Sequence, residues 1–194
     1  MIDLDLDAVR IPLEWSEVFG REAPTSVEIG SGKGKFLNEI ATARPEQNFL
    51  AVERSAKYFS LCCSRAARRG LENVRLLRTT GEDLLYRLLA ESSVADFYVL
   101  FPDPWPKKRH HKRRLFNPSA VAAMARALAP GGSLFVKSDH AGYAAVIAEV
   151  LAAAAGLEAV EPGPAFAELP VTGFEHKYLI EGRPIHSFVC RKRT

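Results

Sequence analysis

Short apolar segments alternate with longer segments of helical periodicity through most of the chain. Strands are predicted at 25–29, 48–53, 74–78, 96–101 and 133–137, and helices follow them at 35–43, 56–69, 82–90, 118–129 and 141–155. Five strand–helix units of this size predict a parallel, doubly wound sheet with helices on both faces. The ending differs, because 174–180 and 185–191 both look like strands and only 181–184 separate them. This separation is too short for a helical crossover and predicts an antiparallel hairpin.

Composition predicts one domain with a local concentration of positive charge. At 194 residues with 47% hydrophobic content, the chain is expected to form a single domain over 1–194, with 1–24 as a short N-terminal segment. The net charge is +3, from 26 Lys and Arg against 23 Asp and Glu, and six of those cations lie within 107–114. The basicity is therefore local, which is typical of an oriented contact with a polyanion.

Cysteine spacing and hydropathy indicate the compartment. Cys62, Cys63 and Cys190 form neither a CxxC pair nor a Cys/His ligand pattern, so we expect reduced thiols and no metal site. The first residues lack the basic and apolar regions of a signal peptide. The Ala-rich stretch 144–160 is interrupted by Glu149, Gly156 and Glu158, so no membrane span is expected. These features predict a cytoplasmic protein.

Acidic residues stand at or just after every one of the five strand ends. They are Glu28, Glu53, Glu82 with Asp83, Asp103 and Asp139. Ligands of open α/β sheets bind outside the carboxyl ends of the strands, where these acids are expected to converge. The first strand end also carries the pattern acid-x-Gly-x-Gly-x-Gly, with glycines at 30, 32 and 34.

The glycine pattern does not match the phosphate-binding loops. A P-loop needs four residues between its glycines and Ser or Thr after its Lys, whereas three residues separate Gly30 from Gly34 and Phe36 follows Lys35. The dinucleotide pattern would need glycine at position 35. A carboxylate at the strand tip repels a pyrophosphate but attracts a cation. S-adenosylmethionine, which has a sulfonium, an ammonium, a ribose diol and an adenine amine but no phosphate, is therefore the predicted cofactor.

Individual acids are assigned within that hypothesis. Glu53 is expected to accept both ribose hydroxyls, and either Glu82 or Asp83 is expected to accept from the adenine amine. Glu28 would contact the cofactor directly or through water. Asp103 lies between Pro102 and Pro104, which restrict its backbone, and Trp105 is expected to shield one side of its carboxylate.

Five segments carry motifs that are specific in combination. They are Val-Glu-Ile-Gly-Ser-Gly-Lys-Gly from residue 27, Val-Glu-Arg-Ser from 52, Phe-Pro-Asp-Pro-Trp-Pro-Lys-Lys-Arg-His from 101, Lys-Ser-Asp-His from 137 and Thr-Gly-Phe-Glu-His-Lys from 172. Together they resemble the bacterial tRNA (guanine-N7-)-methyltransferase family over about residues 28–191. The resemblance implies an α/β, Rossmann-like class I methyltransferase fold. Its seven-stranded sheet is mostly parallel with an antiparallel last strand, and helices cover both faces.

The same resemblance implies the site residues. S-adenosylmethionine would bind around Glu28, Gly30, Gly32, Gly34, Glu53, Glu82 and Asp103. Guanosine would bind around Lys107, Asp139, Thr172, Gly173, Phe174 and Glu175. The implied partner is tRNA, modified at variable-loop position 46. Apart from the resemblance, we expect a monomer or homodimer and no obligatory protein partner. Two positions depart from the family, which commonly has Asp at 82 and often Lys at 173.

The chemistry of the reaction assigns roles. Methyl transfer to an aromatic nitrogen is a direct displacement, so catalysis is mostly positioning. Guanine N7 has a free lone pair and becomes cationic, so Asp103 is the catalytic candidate, either orienting groups or stabilising that charge. Asp139 or Glu175 would accept hydrogen bonds from guanine N1 and N2. Thr172 would contact O6 or a sugar oxygen, and Lys107 would contact a phosphate or O6.

The basic run is expected to contact RNA phosphates through Lys108, Arg109, Lys112, Arg113 and Arg114. Two alternative functions stay open. An amine-directed RNA or protein methyltransferase would use an Asn/Asp-Pro-Pro-aromatic element, whereas Pro-Asp-Pro-Trp lacks consecutive prolines. A non-catalytic RNA-binding protein of the same fold would not need acids at all five strand ends.

Overall fold

Seven strands form one sheet in a computed structural model that describes residues 2–193. They are β1 (Thr25–Ile29), β2 (Asn48–Val52), β3 (Val74–Leu77), β4 (Val94–Leu100), β5 (Leu128–Ser138), β6 (Leu157–Val160) and β7 (His186–Lys192). The spatial order is β3-β2-β1-β4-β5-β7-β6, with β1 to β5 parallel and β7 antiparallel to its neighbours β5 and β6. The expected sheet, with its antiparallel last strand, is confirmed. Met1 and Thr194, the ends of the predicted domain, lie outside the described residues.

Helices cover both faces of this sheet. They are α1 (Trp15–Phe19), α2 (Lys35–Ala43), α3 (Ala56–Arg68), α4 (Gly81–Asp83), α5 (Pro118–Ala127), α6 (Ala141–Ala152), α7 (Pro162–Ala167) and α8 (Gly173–Ile180). Side chains of β2 alternate between two cores, as a strand's geometry requires. Leu50 and Val52 pack in the core that α5 and α6 cover, whereas Phe49 and Ala51 pack in the core under α2 and α3. Within residues 2–193, no helix is long and apolar enough to cross a membrane.

The predicted C-terminal hairpin is wrong. Residues 173–180 form helix α8, and β7 pairs with β5 and with the short strand β6, which the sequence pattern did not reveal. Phe174, Tyr178 and Ile180 alternate as in a strand, but the first two are also four residues apart, which suits one helix face. A capping box decides for the helix, because Thr172 Oγ1 accepts from the Glu175 N–H and the Glu175 carboxylate accepts from the Thr172 N–H.

The largest remaining differences from the predicted elements concern the helix after β3, strand β5 and helix α6, while other boundaries shift by one or two residues. The helix predicted at 82–90 is a single α-helical turn, α4, followed by a π-helical turn over Leu84–Leu88. Strand β5 begins at Leu128 and not at Ser133, because its first residue pairs with Val94 before an irregularity in the β4–β5 register. Helix α6 ends at Ala152, three residues before the predicted end.

Gly34, the last residue of the glycine turn after β1, allows α2 to pack against α3. A Cβ at this position would lie 2.3 Å from Cys62 Sγ and 3.0 Å from Asn38 Nδ2, and the backbone has φ of +73°. Gly131 has nearly the same φ, +76°, but a Cβ there would meet nothing within 4 Å. Alanine substitutions at the two glycines therefore share a similar backbone strain, and only the one at Gly34 adds a steric overlap.

We expect Gly34→Ala to lower the free energy of unfolding by about 1–3 kcal/mol more than Gly131→Ala, because only the former must displace a buried side chain. Urea denaturation of both variants measures the difference. Cys62→Ala should couple favourably with Gly34→Ala in a double-mutant cycle, since it removes the overlapping sulfur. Equal losses at 34 and 131 would contradict the packing argument.

Candidate active site

A cavity of about 360 Å³ opens at the carboxyl ends of β1 to β4. Its walls are the turn after β1, the end of β2, the start of α4 and the segment after β4. Strand order reverses between β1 and β4, and ligands of open α/β sheets bind at that point. Four predicted acids stand around this edge, and Glu53, Glu82 and Asp103 line the cavity directly.

Two backbone N–H groups orient the Glu53 carboxylate. Gly32 N donates to Oε2 at 2.9 Å, and Ser55 N donates to Oε1 at 2.7 Å. Gly30 and Gly32 have φ of +87° and +52°, a region that glycine adopts without penalty. Each carboxylate oxygen keeps a second lone pair, so Glu53 can still accept from two ribose hydroxyls.

Glu28 lies behind the glycine turn and does not line the cavity. The residue is buried, and within the described residues its Oε2 has no hydrogen-bond partner. Burial, with a smaller effect of the Glu53 charge, raises the pKa of Glu28 to about 8. A carboxyl in this state is neutral near pH 7 in the ligand-free protein, and a cationic group in the cavity would favour its ionised form.

The structure separates Glu82 from Asp83. Glu82 lines the cavity, whereas the Asp83 carboxylate is turned to Arg87 Nη1 at 3.3 Å. Thr80 caps this turn by accepting from the Asp83 N–H at 3.1 Å. The geometry therefore favours Glu82 for the adenine amine, and the contact itself stays a prediction.

Asp103 is open to solvent, so the predicted shielding by Trp105 is wrong. Its side chain is 74% exposed and lies 4.0 Å from Arg54 Nη2. Trp105 packs instead against His110 and under the Arg113 guanidinium, at 5.6 and 5.0 Å between centres. The turn is strained, because Phe101 and Trp105 have φ of 62° and 43°, and strain of this kind is often found at functional sites. Asp103 is thus held by backbone geometry and not by burial.

Most of the basic run is exposed on a 3-10 turn over Lys108–Arg113. The exposed members are Lys107, Lys108, Arg109, Lys112 and Arg113, and Arg113 also lines the cavity. The expectation that Arg114 contacts phosphate needs correction. Arg114 is buried, its Nε donates to Pro104 O at 2.8 Å, and its guanidinium lies 4.8 Å from the Tyr143 ring centroid. It anchors the turn to the protein.

Helix α8 brings the predicted guanosine segment to the cavity. Phe174 is 54% exposed and lines the cavity. Glu175 is buried, and its carboxylate pairs with Lys137 Nζ and with the Thr172 N–H. In this structure Thr172 and Glu175 stabilise the start of α8, so their direct contact with guanine stays a prediction. Lys137, which sequence reasoning did not single out, lies with its ammonium 4.3 Å from the Phe166 ring centroid.

Three aromatic rings form a cluster beside the cavity. Phe101 lies 6.3 Å from Phe174 and 5.4 Å from Tyr178, and Phe174 stacks on Tyr178 at 6.0 Å. Sequence reasoning missed Tyr178 because 174–180 was assigned to a strand, which would have separated it from Phe174. The i, i+4 spacing within a capped helix was the available signal.

Asp139 and Gly173 flank this aromatic cluster. Asp139 Oδ2 pairs with Arg183 Nη1 at 3.2 Å, and its side chain is 19% exposed. Beside Gly173, where a family Lys is absent, the Cδ of Lys35 lies 4.0 Å from the position of a Cβ. A cation is therefore present next to this segment, supplied by α2.

Comparisons with known proteins identify the family to which this chain belongs. The family model described as "Putative methyltransferase" matches residues 22–188. A protein named tRNA (guanine-N(7)-)-methyltransferase from Nocardia farcinica is 42% identical over 193 residues, covering 93% of this chain and 72% of the relative. This chain belongs to the tRNA (guanine-N7-)-methyltransferase family. A relative of the same name from Syntrophotalea carbinolica is 36% identical and covers 97% of this chain and 82% of its own length.

A solved structure shows the same fold at low sequence identity. The 16S rRNA methyltransferase KamB superposes with a TM-score of 0.61 at 18% identity, covering 93% of each chain. This likeness confirms the Rossmann-like architecture alone. Membership of a methyltransferase family confirms S-adenosylmethionine as the expected cofactor. The acidic cavity fits that cationic group, with its glycine turn and with the Glu28 Oε2 beside it, which has no hydrogen-bond partner among residues 2–193.

The buried Glu28 gives a pH-dependent prediction. Its pKa is raised from 4.5 to about 8 in the folded protein, so its contribution to stability is complete below pH 4.5 and is lost as pH rises to about 8. Glu28→Gln stays neutral and removes that loss. Urea denaturation across this range should therefore show the variant gaining stability relative to the parent as pH rises. Parallel pH profiles would contradict the burial argument.

Proposed function

We propose that this enzyme transfers a methyl group from S-adenosylmethionine to N7 of a guanosine in tRNA, forming 7-methylguanosine. The observation that carries the proposal is the position of Asp103. Its exposed carboxylate lies at the edge of the acidic cavity, and an exposed basic run begins four residues later, at Lys107. Cofactor, base and RNA backbone can therefore meet at one place. The names of the curated relatives support this substrate.

The chain's own residues would hold the cofactor by its polar groups. Glu53 would accept from the ribose diol, Glu82 from the adenine amine, and the glycine turn would allow close approach of the ligand to the backbone. When bound, S-adenosylmethionine supplies a methyl group on a cationic sulfur that leaves as a neutral thioether. Its positive charge is matched by the acids at the strand ends.

Asp103 would act on the acceptor. Guanine N7 forms the new N–C bond with its own lone pair as the S–C bond breaks, so no proton has to be removed first. The guanine ring would become cationic as N7 accepts the methyl group. A carboxylate next to the cavity, on a backbone that the strained turn already fixes, would stabilise that positive charge without a rearrangement of the backbone. Asp103 would therefore stabilise the product-like transition state, and it would orient the base through the same contact.

The aromatic cluster would position the base. Phe174 presents an exposed ring to the cavity that Asp103 also lines, and RNA bases outside a helix stack on such rings. Asp139 would accept from guanine N1 and N2, since it keeps a partly exposed carboxylate beside this cluster. Lys107 would meet a phosphate or O6. Glu175 would act through α8, whose first turn it caps.

The proposal extends to the target nucleotide, the compartment and the oligomeric state. The variable-loop guanosine at position 46 is the proposed target, and the cytoplasm is the proposed location because tRNA and reduced thiols are found there. One domain over 1–194 would carry the activity, as a monomer or homodimer without another protein.

Unmodified tRNA and labelled S-adenosylmethionine test the reaction. We expect label in 7-methylguanosine after digestion to nucleosides, and loss of that label when position 46 is changed from guanosine to adenosine. Label in a methylated adenosine or in protein would favour an amine-directed enzyme. No label despite measured binding of cofactor and tRNA would favour a non-catalytic RNA-binding protein.

Substitution of Asp103 tests the catalytic role. Asp103→Asn keeps the shape but removes the charge, so we expect kcat to fall by about 100-fold. The dissociation constant for tRNA, measured by filter binding, should change by less than about twofold, because the phosphate contacts are intact. Asp7→Asn, a change of the same kind at an exposed residue outside the cavity, should leave kcat unaltered. Retained activity of Asp103→Asn would remove Asp103 from the mechanism.

A further inference from the structure

A second group of basic side chains lies on the α2 and α3 side of the sheet, apart from the basic run 107–114 and its 3-10 turn, which together are called the 107–114 turn below. We call it the α3 basic surface, and it consists of Lys33, Lys35, Arg65, Arg68 and Arg69. The last four line a concavity of about 280 Å³ together with Gly34 and Asn38. Lys33 adjoins it, because Arg65 Nη1 donates to Lys33 O at 2.8 Å.

The charge of this surface is largely uncompensated. Among residues 2–193, no carboxylate lies within 4.0 Å of the guanidinium groups of Arg65, Arg68 or Arg69. Glu39 pairs only with Lys35, at 2.9 Å on the exposed surface. Like charges this close repel one another, and an anion that binds among them would relieve the repulsion.

Helix electrostatics explain only part of this arrangement. Arg65 and Arg68 lie in the last turn of α3, where cations stabilise the helix dipole. Lys35 is the first residue of α2, and the first turn of that helix contains no acid. A cation at a helix N-terminus adds to the positive end of the dipole, and here Glu39 offsets the charge of Lys35 alone among the five cations. The two helices therefore direct positive potential into one concavity.

The α3 basic surface adjoins the active cavity. Gly32 lines the active cavity, and Gly34, two residues later, lines the basic concavity. Lys35 Nζ donates to Val171 O at 2.6 Å, which joins the surface to the segment that leads into α8 and to the cavity residue Phe174.

The two basic regions lie on different sides of the sheet. The 107–114 turn leads into α5, which covers one face, whereas α2 and α3 cover the other. The active cavity opens at the sheet edge between them. A strand of nucleic acid whose base enters the cavity would extend its phosphates in both directions, toward both regions.

We infer that the α3 basic surface binds backbone phosphates of the tRNA on the side of the target guanosine opposite to the 107–114 turn. This inference rests on the proposed function. It assigns the α3 basic surface to tRNA affinity and not to chemistry, because none of the five cations of this surface lines the active cavity.

The double variant Arg68→Gln/Arg69→Gln tests the inference, since both side chains are exposed and neither makes a hydrogen bond within residues 2–193. Arg191→Gln/Arg193→Gln is the matched control, because it removes the same charge from two exposed arginines away from the active cavity. Arg191 pairs with Ser133, which pairs with Asp96 near the start of β4, whereas the cavity lies at the carboxyl end of that strand. Filter binding of tRNA over a range of salt concentrations, cofactor affinity and single-turnover rate would be measured for both.

We expect Arg68→Gln/Arg69→Gln to weaken tRNA binding by about tenfold and to reduce the salt slope by about one to two, as expected for two lost phosphate contacts. The single-turnover rate at saturating tRNA and the affinity for S-adenosylmethionine should stay at the level of the control. Binding and a salt slope equal to those of the control would overturn the inference.

Two further outcomes distinguish a failure of the proposed function from a failure of the inference about the α3 basic surface. Failure of the parent enzyme to form 7-methylguanosine would overturn the proposed function, whereas equilibrium tRNA binding would still decide the role of the α3 surface. Phosphatidylglycerol vesicles provide the other arm. Loss of vesicle binding in Arg68→Gln/Arg69→Gln, with tRNA binding unchanged, would assign the surface to a lipid headgroup and contradict the inference.

Discussion

The close packing of Gly34 against Cys62 is the contact on which the functional part of the molecule depends. A side chain at position 34 would overlap the buried sulfur, so only glycine lets α2 begin this near to α3. That approach keeps the turn after β1 short and brings the Gly32 N–H within 2.9 Å of Glu53. The same contact places Lys35 beside the arginines of α3. One small residue thus supports both the cofactor pocket and a charged outer surface.

Acidic and basic side chains lie in different parts of the molecule. Carboxylates collect at the strand ends around a cavity, where a cationic cofactor can compensate for them, and exposed cations lie on helical segments from both sides of the sheet. Glu28 is the extreme case, because its burial favours the neutral carboxyl. Between the two sets, Asp103 and Phe174 line the cavity from different elements. The target base is proposed to bind there.

Sequence reasoning succeeded where a local pattern has one structural solution. Apolar runs between helical segments specified β1 to β5, and the acid-x-Gly-x-Gly-x-Gly pattern predicted the turn after β1, which lines the cavity. It failed where one pattern suits two structures. Residues 173–180 alternate like a strand, but a capping box begins a helix there, and contacts with Phe101 stabilise it. Arg114 looked like its basic neighbours until packing on Tyr143 distinguished it.

The alternation of β1 to β5 with helices, the position of the acids after these strands and the net charge of the 107–114 run follow from the sequence by itself, because each depends on residues that are near one another in the chain. The pairing of Lys137 with Glu175, the exposure of Asp103 and the meeting of Lys35 with Arg68 and Arg69 were decided only by tertiary structure. These features join residues that are distant in sequence, and their solvation and electrostatics depend on which elements the sheet topology brings together.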